Sequence, residues 1–91
     1  MLFKSVDEKL KELGFVKTEE NKYGATYRRD EVGVEYAHRL DILHKQSGKH
    51  LIQSYVETVN LDGFNDVVGL TYKETKLAMK KYRQLKRRYK W

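Results

Sequence analysis

The sequence predicts an α+β fold, a four-stranded antiparallel meander with an N-terminal helix and a longer C-terminal helix packed on one face. Three observations predict it. The stretch Val34–Thr58 alternates in side-chain character on either side of a glycine-containing turn. A Ser- or Thr-led capping pattern opens a helical periodicity near each end of the chain. At 91 residues the chain suits one domain with one modest core, and residues 1–91 are read as such.

The first helix opens at Ser5-Val6-Asp7-Glu8, a capping box in which the serine hydroxyl accepts from the backbone N–H of Glu8. Val6, Leu10 and Leu13 then recur at helical spacing. Gly14 supplies a left-handed stop, and Phe15 is placed to touch Leu10 across it. Two edge-type strands follow, over Phe15–Glu19 and Ala25–Arg29, with Asn21-Lys22-Tyr23-Gly24 as the turn between them. Their charges at Lys17, Glu19, Arg28 and Arg29 suit half-exposed strands that resist edge-to-edge pairing. Asp30-Glu31-Val32-Gly33 reads as the next turn.

The central hairpin allows a commitment on register. A three-residue loop, Gln46-Ser47-Gly48, with Gly48 left-handed would pair His44 with His50, Ile42 with Ile52, Leu40 with Ser54 and His38 with Val56. That register turns Val34, Tyr36, Leu40, Ile42, Ile52 and Val56 inward. Arg39, Asp41, Leu43, Leu51, Gln53 and Tyr55 then share the opposite face, because a one-residue slip would exchange the faces. Asn60–Leu70 reads as a connecting loop pinned by Phe64, Val67 and Val68. Thr71-Tyr72-Lys73-Glu74 repeats the capping box, and Thr75, Ala78, Tyr82, Leu85 and Tyr89, widened by Met79, form the apolar stripe of the last helix.

The formal charge of +6 is unevenly placed. Residues 73–90 carry nine Lys and Arg against Glu74 alone, which leaves ten basic and twelve acidic residues for the rest of the chain. With no cysteine, disulfide and thiolate chemistry are excluded. No window approaches the ~18 uninterrupted apolar residues of a membrane span, and Asp7 and Glu8 interrupt any secretion-type apolar run. The expectation is a soluble, cytoplasmic protein without membrane contact.

Three groups of residues invite a functional reading. Lys76, Lys80, Arg83, Arg87, Arg88 and Lys90 on the last helix could track phosphates, each contact releasing condensed counterions; cations near a helix C-terminus also simply complement its dipole. His44 and His50 meet across the hairpin end, but two imidazoles fall short of the three or four ligands of a zinc site, so no metal or cofactor is expected. The face bearing Arg39, Asp41, Leu43, Leu51, Gln53 and Tyr55 mixes apolar and charged groups without the convergence that catalysis needs. It reads as a partner-binding surface, with a homodimer as one form of it.

Four stretches carry a likeness to known proteins: Glu12-Leu13-Gly14-Phe15, Asn21-Lys22-Tyr23-Gly24, the run Asp41–Lys45 into Gly48–Tyr55, and Val68–Glu74. Across nearly its whole length the chain resembles small proteins encoded by phages and prophages of Gram-positive bacteria. The resemblance brings no catalytic or ligand residues with it. It implies a cytoplasmic protein of an infected or lysogenic cell that acts by binding. The first expectation is therefore a non-enzymatic protein that engages a protein partner through the open sheet face. The alternative is nucleic-acid binding through the last helix, and a small enzyme comes a distant third.

Overall fold

Ser5 caps the first helix, α1 (Val6–Glu12), its Oγ accepting from Glu8 N at 3.1 Å. The Glu8 carboxylate accepts from the Ser5 hydroxyl, at 3.1 Å, instead of reaching back to the backbone. The helix ends in a Schellman arrangement, with Phe15 N donating to Leu10 O and Gly14 N to Lys11 O, both at 2.9 Å. Gly14 sits at φ +93°, where a Cβ would meet the Arg29 side chain at 2.9 Å. The structure, a computed structural model, describes residues 4–30, 36–45, 47–58 and 65–91.

Strands β1 (Val16–Asn21), β2 (Gly24–Asp30), β3 (Tyr36–His44) and β4 (His50–Thr58) form the antiparallel meander in chain order. A bulge between Lys17 and Glu19 breaks the β1–β2 register, and the turn closes Asn21 on Gly24, the Asn21 side-chain oxygen accepting from Tyr23 N at 2.8 Å. The β3–β4 register is the expected one, from His44 opposite His50 through Ile42–Ile52 and Leu40–Ser54 to His38–Val56. Gly48 takes φ +86° and donates to Lys45 O, while Lys45 N donates to Lys49 O. The meander gains a short fifth strand, β5 (Asn65–Val67), beside β4, inside the segment expected to be loop. Three residues including Asn and Asp carry too little alternation to announce a strand. Most of the turn expected at Asp30–Gly33, the residues Asn60–Phe64, Gln46, Val34 and the Tyr36 side chain lie outside the described residues.

The last helix, α2 (Tyr72–Arg88), begins with a complete capping box. Thr71 Oγ accepts from Glu74 N at 3.1 Å, and the Glu74 carboxylate accepts from Thr71 N at 2.9 Å. It ends at Tyr89 with Lys90 in the left-handed region, φ 55°, and Trp91 N donating to Lys86 O. One core joins Val6 and Leu10 of α1, Phe15, Ala25 and Tyr27 of the first hairpin, Leu40 and Ile42 of β3, and Leu77, Ala78 and Leu85 of α2. Both helices thus cover the same sheet face, and burying each large apolar side chain contributes about 1.5–3 kcal/mol.

The buried stripe of α2 differs from the apolar one read in the sequence. Thr75 and Met79 are exposed, while Glu74, Leu77 and Lys81 are buried beside Ala78 and Leu85. Hydropathy cannot place Glu74 and Lys81 inward, because what admits them is partners on other elements. Glu74 pairs with Arg29 of β2 at 3.0 Å, and Lys81 with Glu20 of β1 at 2.6 Å and Asp7 of α1 at 3.2 Å.

Candidate functional site

No described helix covers the outer sheet face, which carries the expected set yet is more self-contained than the sequence suggested. Asp41 is only 5% exposed, because its strand is central and its neighbours lean over it. Gln53 donates to Asp41 Oδ2 at 3.0 Å, and Arg39 reaches Glu57 at 3.4 Å and Asp41 Oδ1 at 4.0 Å. Arg39 also lies 5.8 Å from the Tyr55 ring centroid. Burial and then the Asp41 charge push the Tyr55 phenol up. Leu43 and Leu51, a cross-strand pair, stay half-buried. Asp41 Oδ1 makes no hydrogen bond among the described residues.

Under the helices four polar groups sit together in a way that resembles a hydrolytic relay. His38 Nε2 contacts Ser54 Oγ, His38 Nδ1 lies 2.8 Å from Arg29 Nη2, and Arg29 Nη1 donates to Glu74 Oε2 at 3.0 Å. The polarity is wrong for a nucleophile. A guanidinium only donates, so Nδ1 must accept and Nε2 must carry the proton. Ser54 then accepts from His38, and no base among the described residues is placed to take its own proton. Backbone and Arg29 hydrogen bonds hold the Glu74 carboxyl below its usual range despite burial, which completes an internal clamp between α2 and the sheet.

A second internal cluster ties α1, β1 and α2. Lys81 and Lys17 lie between Asp7 and Glu20, Tyr27 donates to Asp7, and Arg88 and Tyr89 reach Glu20 from the end of α2. Burial works to raise the Glu20 carboxyl, but Lys81, with Lys17 and Tyr89, overrides it and holds it at about 2. The same competition, won by Tyr27, Lys17 and Lys81, lowers Asp7. Burial and then the hydrogen bond to Asp7 push the Tyr27 phenol far up. Such groups are spent on one another.

His44 and His50 do meet at the hairpin end, their rings 4.9 Å apart, and Trp91 stacks on His44 at 5.1 Å while donating to Lys22 O. Tyr82 packs edge-on against His50. No group of three or more His, Asp or Glu among the described residues is arranged to hold a metal. No described helix is long and apolar enough to cross a membrane.

What remains is a groove of about 580 Å³ between α1 and α2. Leu77 and Met79 contribute apolar surface to its wall, and Lys4, Lys9, Lys73, Lys76, Lys80 and Arg83 supply its charge. Its lone acid, Glu12, is engaged by Lys4. That hydrogen bond lowers the Glu12 carboxyl, and the charges of Lys73 and Lys9 pull it further. The other five cations have no ion-pair partner within 4.0 Å among the described residues. Of the six basic residues singled out in the sequence, Lys76, Lys80 and Arg83 line this groove. Arg87 is exposed at the next step of the same helical row, Arg88 is drawn to Glu20, and Lys90 lies past the helix end. Lys4, Lys9 and Lys73 complete the groove. The acidic balance of the chain outside residues 73–90 masked the first two, since charge counting does not reveal which face of α1 meets α2.

Comparison with protein-family models, curated proteins and solved structures finds no match for this chain.

Proposed function

We propose that the protein binds nucleic acid through the groove between α1 and α2. The observation that carries this reading is the set of cations along one wall that have no ion-pair partner among the described residues. Lys73, Lys76, Lys80 and Arg83 of that wall, with Arg87 one step beyond it, follow each other at steps of three and four residues, a straight row about 21 Å long at 1.5 Å per residue. Long cationic side chains on an exposed row repel one another, and a polyanion relieves that repulsion while releasing its own counterions. Lys17, Lys81 and Arg88 are engaged by internal acids, whereas this row is not engaged by any described acid. A binding role also accords with the resemblance to small phage and prophage proteins. With about five phosphate contacts, log K should fall with log salt at a slope near −3.5 for a single strand. Titration of a fluorescently labelled oligonucleotide at two salt concentrations measures it. Lys76→Glu with Lys80→Glu should weaken binding more than about tenfold, and absence of binding at ~50 mM salt overturns the reading.

A second reading keeps the outer sheet face as a protein-binding surface, and its occupant would be a second copy of the chain. The face displays both signs in one patch, with Arg39 beside Asp41 and Glu57, and is therefore self-complementary. Sedimentation of the wild type against Tyr55→Arg tests it: a dimer lost in the variant supports it, and a wild-type monomer at high concentration removes it.

A further inference from the structure

We infer that the groove takes single-stranded nucleic acid, with the ring of Tyr72 stacking on a base while Lys73, Lys76 and Lys80 hold the flanking phosphates; the inference rests on the nucleic-acid reading above. Tyr72 is 79% exposed, the most exposed large hydrophobic side chain among the described residues. A single exposed aromatic is ordinary by itself. This one is the first residue of α2, next to Lys73 of the groove wall, and Lys76 Nζ of the same wall lies 5.4 Å from its ring centroid. The other described tyrosines are differently engaged. Tyr27 is in the core, Tyr82 and Tyr89 pack against it, and Tyr55 lies by Arg39; Tyr23, 52% exposed with Lys22 Nζ 5.1 Å from its ring centroid, sits in the β1–β2 turn, outside the groove wall.

An aromatic face beside a row of cations is the arrangement that binds single strands. Phosphates meet the charges, and any base, splayed from its neighbours, can cover the ring. In a duplex the bases are paired and stacked inside the helix, so the same ring would have only backbone to touch. The preference for single strands therefore belongs to Tyr72, whereas the overall affinity belongs to the lysines.

The experiment titrates labelled oligothymidine, a duplex of equal length, and inorganic polyphosphate as competitor against the wild type, Tyr72→Ala, Tyr72→Phe and Lys80→Glu. Tyr72→Ala should weaken oligothymidine binding about 5- to 100-fold and leave duplex binding and polyphosphate competition unchanged. Tyr72→Phe should bind like the wild type, and Lys80→Glu should weaken all three ligands. Because Tyr72 projects into solvent, circular dichroism of the alanine variant should match the wild type. If Tyr72→Ala binds oligothymidine as tightly as the wild type, or weakens all ligands equally, stacking is overturned while the nucleic-acid reading stands. If the wild type binds neither oligonucleotide, both fall.

Discussion

Replacing Lys81 by Met should cost about 3 kcal/mol, a figure set by the cost of breaking a buried ion pair and capped by the titration of Glu20. Met conserves length and removes the charge. Removing one member of a buried ion pair costs about 3–5 kcal/mol, and here the lower end applies, because Glu20 keeps Lys17 at 3.3 Å and Arg88 at 2.5 Å. Titration sets the cap. A carboxyl held at about 2 in the folded protein against an ordinary 4.5 contributes about 3 kcal/mol at neutral pH, shared among Lys81, Lys17 and Tyr89, so it is a ceiling on the part that Lys81 supplies. Its folded value is depressed, so the contribution is complete above pH 4.5 and is lost as pH falls toward 2. Urea unfolding from pH 7 to pH 2.5, followed by Trp91 fluorescence and circular dichroism, should therefore show the wild type losing stability steeply in the acid range. Lys81→Met should start lower and fall less steeply there. At neutral pH its Tm should drop by about 15 °C, given about 4–8 °C per kcal/mol for a domain of this size. Adding Glu20→Gln to Lys81→Met should return about 1–3 kcal/mol as coupling. A loss below about 1 kcal/mol together with an unchanged acid profile would refute the reasoning, because Lys81 would then be acting only as packing.

Other outcomes follow from single positions. Gly24→Ala should destabilise by about 3 kcal/mol in urea unfolding, since a Cβ would lie 2.1 Å from Ile42 O at φ +141°; Gly48→Ala, with nothing within 4 Å at φ +86°, should cost only about 1 kcal/mol. Nitrogen-detected NMR of His38 should show a neutral ring protonated at Nε2, and Ser54 should resist serine-directed fluorophosphonate; rapid labelling would contradict the donor assignment fixed by Arg29. Trp91→Ala should cost about 1–2 kcal/mol by removing the stack on His44 and the hydrogen bond to Lys22 O, and the His44 ring protons should lose their ring-current shifts in the same sample.

Register and caps were legible in the sequence because they depend on neighbours in the chain. Gly48 sets the hairpin, and the hairpin sets every pair from His44–His50 to His38–Val56. Ser5 and Thr71 find their partners three residues on. Buried polar groups were not legible for the opposite reason. Lys81 is inside because Asp7 and Glu20 await it from two other elements, and Glu74 because Arg29 does. A periodicity of apolar residues counts all of these as surface. The sheet-face set was read correctly as one face, but Asp41 was not read as buried, since lateral cover from Gln53 and Tyr55 is a property of the assembled sheet. The groove needed the same assembly, with Lys4 and Lys9 brought beside Lys73–Arg83 across most of the chain.

The cluster at Glu20 also has a kinetic meaning. Every strand of the meander pairs with its neighbour in the chain, so each hairpin can close over a short loop within microseconds. The contacts of Asp7 with Lys81 and of Glu20 with Arg88 span 74 and 68 residues, so they close the longest loops of the fold. Interactions that close the longest loop come late. Changes at Lys81 should therefore quicken unfolding far more than they slow folding, so that the buried lysine governs how long each molecule stays folded rather than how soon it becomes so.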